Sequence, residues 1–422
     1  MTVSAMLATT PKEIQTTNSV EKARAFFMRP ANSVYSSLGT TIFTVMSALA
    51  AEHGAINLGQ GFPDDEGPDD VRAAAAKAIL DGPNQYPPMM GLPALRQAVA
   101  EANRRFYGFD VDWQKQVMVT SGATEALHDC LTALLNPGDE AIVFEPAYDS
   151  YRPVIEAAGA KVVAVPLAPP HWSLPMEKLE AAFSDRTKLI LVNTPMNPIG
   201  KVFTRDELAA IAALMQRHDA YAVCDEVYEH LVFSGHTHIP LMTLPGMAER
   251  CLRIGSAGKT FSLTGWKIGY VTGPAHLMET VAKTHQFVTF TTAPGLQSAV
   301  AYGLGKDDAY FASLASLLEA KRDRLAAGLK EAGFDVLPAD GTYFISADFR
   351  PLLKNKKGFN GTDEEFCRDI TVKAKVAAIP LSAFYSSPDA PRHLARFCFC
   401  KQDAILDEAS ARLKAYAKGQ TE

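Results

Sequence analysis

Between residues 117 and 275, short apolar runs alternate with amphipathic stretches, and this alternation restricts the chain more than any other feature. It is the pattern of repeated strand, helix, strand units. Val117–Thr120, Ala141–Phe144, Val162–Pro166, Lys188–Asn193, Ala220–Cys224, Cys251–Ile254 and Ile268–Thr272 read as seven strands. Thr124–Leu135 and Glu207–Arg217 carry helical spacing, and Thr204-x-x-Glu207 has the form of a capping box. Short strands buried on both faces imply a mostly parallel sheet covered by helices. The expected fold class is α/β, a large domain with a mostly parallel seven-stranded sheet plus a smaller α+β domain.

A second region follows. Residues 311–330 have a long helical pattern, and Gly341–Phe344, Val376–Pro380 and His393–Cys400 read as strands of the smaller unit. The glycine- and lysine-rich stretch 352–360 reads as a surface excursion. Ile42–Glu52 is helical, preceded by an arm of little periodicity. The expected division is an arm with part of the small domain over 1–55, a large domain over 56–310 and a small domain over 311–422. A length of 422 residues fits, since a domain takes roughly 150.

Composition excludes several functions. With 41 Lys plus Arg against 47 Asp plus Glu and no basic run, the chain lacks the concentrated positive face that nucleic acid or an anionic membrane needs. No stretch of 18 apolar residues occurs, and residues 1–33 contain no apolar signal core, so a cytoplasmic chain is expected. Six cysteines are too sparse for a disulfide framework. Cys130, Cys224, Cys251 and Cys367 read as core residues. Cys398-x-Cys400 places both sulfurs on one strand face, and with no second Cys or His pair it also reads as core. His236-x-His238 reads as a polar loop, and no metal site is expected.

In open α/β sheets ligands bind beyond the carboxyl ends of the strands, so strand ends hold the candidate site. The first strand ends in Ser121-Gly122-Ala123-Thr124 and runs into a helix, which suits a phosphate, although any tight strand-to-helix turn favours these residues. Another ends in Asp225-Glu226-Val227-Tyr228. A carboxylate at a buried strand end needs a cation or several donors, so Asp225 faces a positive group, unless it serves as a helix cap or ion pair. A third ends in Gly255-Ser256-Ala257-Gly258-Lys259-Thr260. Gly-Lys-Thr after a strand brings a nucleotide-binding P-loop to mind, but that motif requires glycine where Arg253 stands.

A lysine among small residues at the mouth of a parallel sheet, with an acid on a neighbouring strand, fits a different chemistry. Lysine holds carbonyl cofactors as a Schiff base. Were that cofactor pyridoxal 5'-phosphate, Asp225 would pair with the pyridine nitrogen, and Gly122, Ala123, Thr124, Ser256 and Lys267 would hold the phosphate. Tyr228 and Asn197 would reach the ring hydroxyl, and Tyr148 would stack on the ring.

The chain resembles the class I pyridoxal-phosphate aminotransferases of fold type I. The matching segments are Asn57–Pro63, Asn84-Gln85-Tyr86, Ser121–Glu125, Asn193–Gly200, Cys224–Tyr228, Ser256–Phe261 and Arg396–Phe399. Within that class it is most similar to the branch of methionine, kynurenine and glutamine aminotransferases and cysteine-conjugate β-lyases, nearest the bacterial methionine type. The resemblance implies an enzyme that moves the amino group of an apolar or sulfur-containing amino acid to a 2-oxo acid. It implies Lys259 as the Schiff-base lysine and Arg396 as partner of the substrate carboxylate, a bidentate task that suits a guanidinium. Phe397 and Phe399 alternate to the opposite face, consistent with Arg396 entering a cleft.

By the same resemblance Gly61 lies against substrate, and Tyr86 reaches the phosphate of a neighbouring subunit in a homodimer; the other reading of Tyr86 is a core aromatic. Phe290, Tyr343 and Phe384 are candidate walls of the side-chain pocket. Kynurenine-type relatives carry a tryptophan near Ile42 and a histidine near Thr291, and neither is present, so a kynurenine preference is not implied. The rivals are a β-eliminating lyase using the same site, another aminotransferase such as a succinyldiaminopimelate or kynurenine enzyme, and a regulator of this fold, for which the short N-terminal segment leaves no DNA-binding domain.

Overall fold

The computed structural model describes residues 29, 31–353, 361–387 and 390–419. Most of the arm and most of the 352–360 excursion lie outside them. The chain forms two units, Met1–Gly39 and Thr40–Glu422. In the first, Asn32 Oδ1 accepts from the N–H groups of Val34 and Tyr35 and starts a short helix, Ser33–Ser37. Everything below concerns the second unit.

That unit opens with the expected helix Ile42–Glu52 and strand β1 (Ile56–Asn57). The seven expected strands then appear within a residue or two of their predicted limits. They are β2 (Val117–Ser121), β3 (Glu140–Glu145), β4 (Lys161–Pro166), β5 (Thr187–Asn193), β6 (Tyr221–Asp225), β7 (Cys251–Ser256) and β8 (Ile268–Thr272). They form one sheet in the order β2-β8-β7-β6-β5-β3-β4. All neighbours are parallel except at β8, which runs antiparallel to both β2 and β7.

The pattern of β2 shows why the sheet needs cover on both sides. Met118 joins the main apolar core, whereas Val117 and Val119 join a second cluster with Phe261, Ile268, Tyr270 and Val300. Alternate side chains of a strand point to opposite faces, so both faces bury apolar surface. Helix Gly122–Leu134 lies across β2, β6, β7 and β8. Helix Arg205–Arg217 starts at the predicted capping box, Thr204 with Glu207, worth about 1 kcal/mol.

The second sheet is antiparallel, with β9 (Asp335–Val336), β10 (Phe344–Asp348), β12 (Ile379–Pro380) and β13 (Leu394–Cys398) in the order β12-β13-β10-β9. Strand β11 (Val376–Ala377) pairs instead with β1. Pro380 lies on an edge strand, where a missing N–H breaks no ladder bond. The predicted strand at Gly341–Phe344 begins only at Phe344, because Gly341 forms an isolated bridge with Val232. The main core runs continuously from the large sheet to residues of this second sheet and the last helix, Asp403–Ala417. Among the described residues no helix is long and apolar enough to cross a membrane.

Candidate active site

The carboxyl ends of β2, β5, β6 and β7 open into one cavity of about 360 Å³. Gly61, Gly122, Ala123, Thr124, Tyr148, Asn197, Asp225, Tyr228, Ser256, Lys259, Lys267 and Arg396, twelve of the thirteen predicted site residues, line it. These residues are up to 335 positions apart; Gly122–Thr124, Asn197, Asp225 and Ser256 stand at or just beyond carboxyl ends of strands, whereas Arg396 lies within β13 and Lys267 just before the start of β8.

One end is built to hold an anion. Helix Gly122–Leu134 begins there with no side-chain cap from Ser121, leaving the first-turn N–H groups of Gly122, Ala123 and Thr124 unpaired within the helix. Lys267 Nζ stands 3.5 Å from Thr124 Oγ1, and a Cβ on Gly122 would come 3.3 Å from that ammonium. Among the described residues Lys267 has no carboxylate partner. Behind this turn, Glu125 accepts from the Ser121 N–H and binds His285 Nδ1 at 2.8 Å, while His285 Nε2 donates to the Met89 carbonyl at 3.0 Å. Burial opposes a charged imidazole, but Asp129 and Glu125 outweigh it and raise His285 to about 9. Both ring nitrogens therefore donate, and the turn is braced from below.

The turn also depends on Gly269. A Cβ there would lie 2.5 Å from the Gly122 carbonyl carbon, a backbone atom that cannot step aside. Gly269→Ala is expected to lower unfolding free energy by about 1–3 kcal/mol, the range for overpacking. Gly265→Ala, with nothing within 4 Å, is the control and should move the urea midpoint little.

Asp225 forms the floor. Its Oδ2 accepts from the Tyr151 hydroxyl at 2.6 Å, and its Oδ1 faces the Val227 N–H at 3.4 Å. Burial pushes its carboxyl above the ordinary carboxylate value, against these two donors. No cation is ion-paired with it among the described residues. A positive group laid against it would favour its charged form. The predicted helix-cap alternative fails, because no helix follows β6. Alternation sends the next acid, Glu226, the other way, to a buried network with Arg253 and His238. His238 is thus buried, which corrects the polar-loop reading.

Lys259 rises from a single helical turn, Ala257–Thr260, after β7. Its Nζ donates to Tyr343 Oη at 2.9 Å, and Tyr343 in turn donates to the Gly61 carbonyl at 2.7 Å. Burial pushes the amine below its ordinary value, against the Cys400 thiol and the Asp225 carboxylate. Burial also pushes the Tyr228 phenol up, so it remains a protonated donor.

Arg396 closes the other end, on β13. Its guanidinium donates to the Gly59 carbonyl and to Asn197 Oδ1, the latter at 3.1 Å, while Nε has no partner. The Phe344, Phe384 and Phe43 rings lie 4.1, 5.0 and 5.3 Å from it. Burial lowers its pKa to about 10. Among the described residues it has no carboxylate in ion-pair contact, so a buried cation with an orphaned donor awaits an anion.

The family profile for class I and II aminotransferases matches residues 53–413, which span all of this geometry. The chain belongs to this family. It is an enzyme that transfers amino groups, with the α/β architecture of fold type I. A probable N-succinyldiaminopimelate aminotransferase of Mycobacterium tuberculosis is 46% identical over 90% of this chain and 96% of its own. The solved structure of N-succinyldiaminopimelate aminotransferase from that organism matches with a TM-score of 0.88, 46% identity, and coverage of 92% and 100%. The methionine aminotransferase of Escherichia coli is 41% identical over 89% of this chain and 96% of its own.

Within this aminotransferase, Tyr86 stands outside the cavity and is 84% exposed, which rules out a core aromatic. Its ring packs against Phe290, at 5.6 Å between centroids. Phe290 therefore does not wall the pocket of its own chain, whereas Tyr343 touches the lysine and Phe384 the arginine. Two contributors escaped the sequence reading. Tyr151 was legible only as the second tyrosine of Tyr148-x-x-Tyr151, and Phe43 only as part of a helix.

Proposed function

We propose that this aminotransferase binds pyridoxal 5'-phosphate in the described cavity and transfers the amino group of an apolar or sulfur-containing amino acid to a 2-oxo acid. The observation that carries this reading is the convergence of a buried amine, a buried acid without a cation and an anion cradle on one cavity. The residues fit the cofactor: Lys259 would anchor its carbonyl carbon, Asp225 would pair with its ring nitrogen, and Gly122, Ala123, Thr124, Ser256 and Lys267 would hold its phosphate. Tyr148 would cover the ring, and Tyr228 and Asn197 would reach its hydroxyl. When bound, this cofactor supplies an electron sink that makes the Cα–H bond of an amino acid acidic.

The protein's own residues do the remaining work. Lys259, whose amine burial pushes below its ordinary value, would accept the Cα proton and deliver it two atoms along, past the nitrogen, to the cofactor's carbonyl carbon. Tyr343 orients the amine through its 2.9 Å bond. Arg396 takes the substrate carboxylate of donor and acceptor alike, and its aromatic surroundings present an apolar wall to the side chain. Arg396→Lys keeps the charge but loses the planar fork, so apparent binding of both substrates should weaken by about 1–3 kcal/mol in steady-state kinetics.

The reading is tested with holoenzyme and a panel of amino acids in the absence of any oxo acid. One equivalent of 2-oxo acid per site from methionine or leucine supports it; pyruvate and ammonia from S-substituted cysteine would mark elimination instead. Release from none overturns it. The names of the relatives place succinyldiaminopimelate derivatives on the same panel.

We also infer a homodimer with composite sites, in which Tyr86 crosses to the partner subunit's phosphate. Its support is an exposed apolar patch, with Leu80 and Tyr86 on one segment and Phe287, Val288 and Phe290 on another. Mixing Tyr86→Phe and Lys259→Ala subunits should then recover activity above either parent, because each heterodimer rebuilds one intact site. No recovery after verified subunit exchange places Tyr86 outside the partner's site.

A further inference from the structure

Two thiols lie against the back of Lys259, and nothing in the transamination chemistry uses them. Cys398 ends β13, Cys400 follows two residues later, and their sulfurs are 3.1 Å apart. Both are buried and free. A second cavity, of about 140 Å³, is lined by Cys400, Tyr343 and Lys259 and has only Lys259 in common with the first. Leu317 also lines it and is 55% exposed, so the cavity opens at the surface. A small neutral molecule can therefore approach the sulfur pair without passing the substrate.

We propose that Cys398 and Cys400 are a reversible oxidation site, converted by a peroxide entering this cavity to an intramolecular disulfide. One sulfur, as thiolate, attacks a peroxide oxygen; an S–O bond forms, the O–O bond breaks and hydroxide leaves. The second thiol then displaces the oxygen, the S–S bond forms and water departs. Two electrons pass from the sulfurs to the peroxide, and hydrogen peroxide with two thiols gives one disulfide and two waters.

The electrostatics favour the first step. Burial opposes ionisation of Cys398, yet the hydrogen bond from Cys400, with Arg396 and Lys401 nearby, holds it below the ordinary thiol value. Burial and the same hydrogen bond push Cys400 up. The two thiols thus titrate as a pair that shares a proton, so the thiolate can stand on Cys400, the sulfur that lines the cavity, with Cys398 3.1 Å behind it as the second thiol.

The geometry makes the product consequential. Two residues along an extended strand set the Cα atoms about 6.6 Å apart, the long end of the roughly 4.4–6.8 Å that a disulfide spans. The strand must pucker to close the bridge, and reductants will readily reopen it. The residue that puckers is Phe399, whose N–H donates to the Tyr343 carbonyl at 2.9 Å. Tyr343 is the hydrogen-bond partner of Lys259, so oxidation displaces the group that orients the amine. The bridge rests on the thiols alone; its effect on turnover rests on the role proposed above for Lys259.

The experiment treats holoenzyme with hydrogen peroxide, alkylates the denatured protein and maps its peptides. The expected result is a 398–400 peptide lighter by two hydrogens and closed to alkylation, with loss of most turnover that dithiothreitol restores. Cys224 and Cys251 line neither cavity, and neither pairs with a thiol that does, whereas Cys398 lies 3.1 Å from the cavity-lining Cys400; both should remain thiols. Cys400→Ser should form no bridge and keep its turnover through the treatment, and Cys400→Ala is the second choice should serine disturb the fold. Alkylation of both cysteines after treatment overturns the site. A mapped bridge with unchanged turnover overturns the coupling to Lys259, without bearing on whether Lys259 holds the cofactor.

Discussion

Lys259→Ala is expected to lose more turnover than the ~10²–10⁴-fold that a lone general base accounts for, because in the proposed reaction one side chain would serve as both anchor and proton carrier. Its fold should survive. Lys259 stands on a single short turn, and Tyr343, which loses its donor, still donates to the Gly61 carbonyl. Comparable unfolding curves with turnover at background level would separate chemistry from stability. A variant with near-parental turnover and an intact fold contradicts the assignment of the lysine.

Asp225 offers the second large effect, and two replacements divide it into parts. Asp225→Asn keeps an acceptor for the Tyr151 hydroxyl but loses the charge, so stability should hold while cofactor affinity and turnover fall by about 10- to 100-fold, the worth of a buried charge-assisted hydrogen bond. Asp225→Ala removes both. It strands the buried Tyr151 hydroxyl, at a cost of about 1–3 kcal/mol in stability, on top of the catalytic loss. The checks are equilibrium dialysis of the cofactor and urea unfolding. If the asparagine variant turns over as fast as the parent, the acid holds tyrosine and nothing else.

The large sheet was legible because strands buried on both faces write themselves as unbroken apolar runs, and all seven were found where those runs lie. Helix starts were legible for the same local reason, as Thr204 and Glu207 show. The strand at Gly341–Phe344 was misjudged because its partner, Val232, is more than a hundred residues away, and no local signal announces a bridge over that distance. Asp225, Lys259 and the Gly122–Thr124 turn were readable as types at strand ends, whereas Arg396 and Gly61 came only from the family resemblance. The pairings were not legible: Tyr151 meets Asp225 across 74 positions, and Tyr343 meets Lys259 across 84.

Arg253 shows the limit most clearly. In the sequence it only interrupted a P-loop pattern, whereas in the fold its buried guanidinium binds Glu226, Glu229 and Asn103 beneath the site. His238 was misread for the same reason, since its partner Glu226 belongs to that network. Residue type and spacing identify what a strand end presents to a ligand. They are silent on what supports it from behind.

We propose that the amine of Lys259 holds the cofactor. Borohydride reduction of the holoenzyme, followed by peptide mass mapping, fixes that linkage permanently and reads its position. The expected product carries a pyridoxyl-phosphate mass on the peptide containing Lys259 and leaves Lys267 unmodified. Label on Lys267 or any other lysine, or on none, contradicts it.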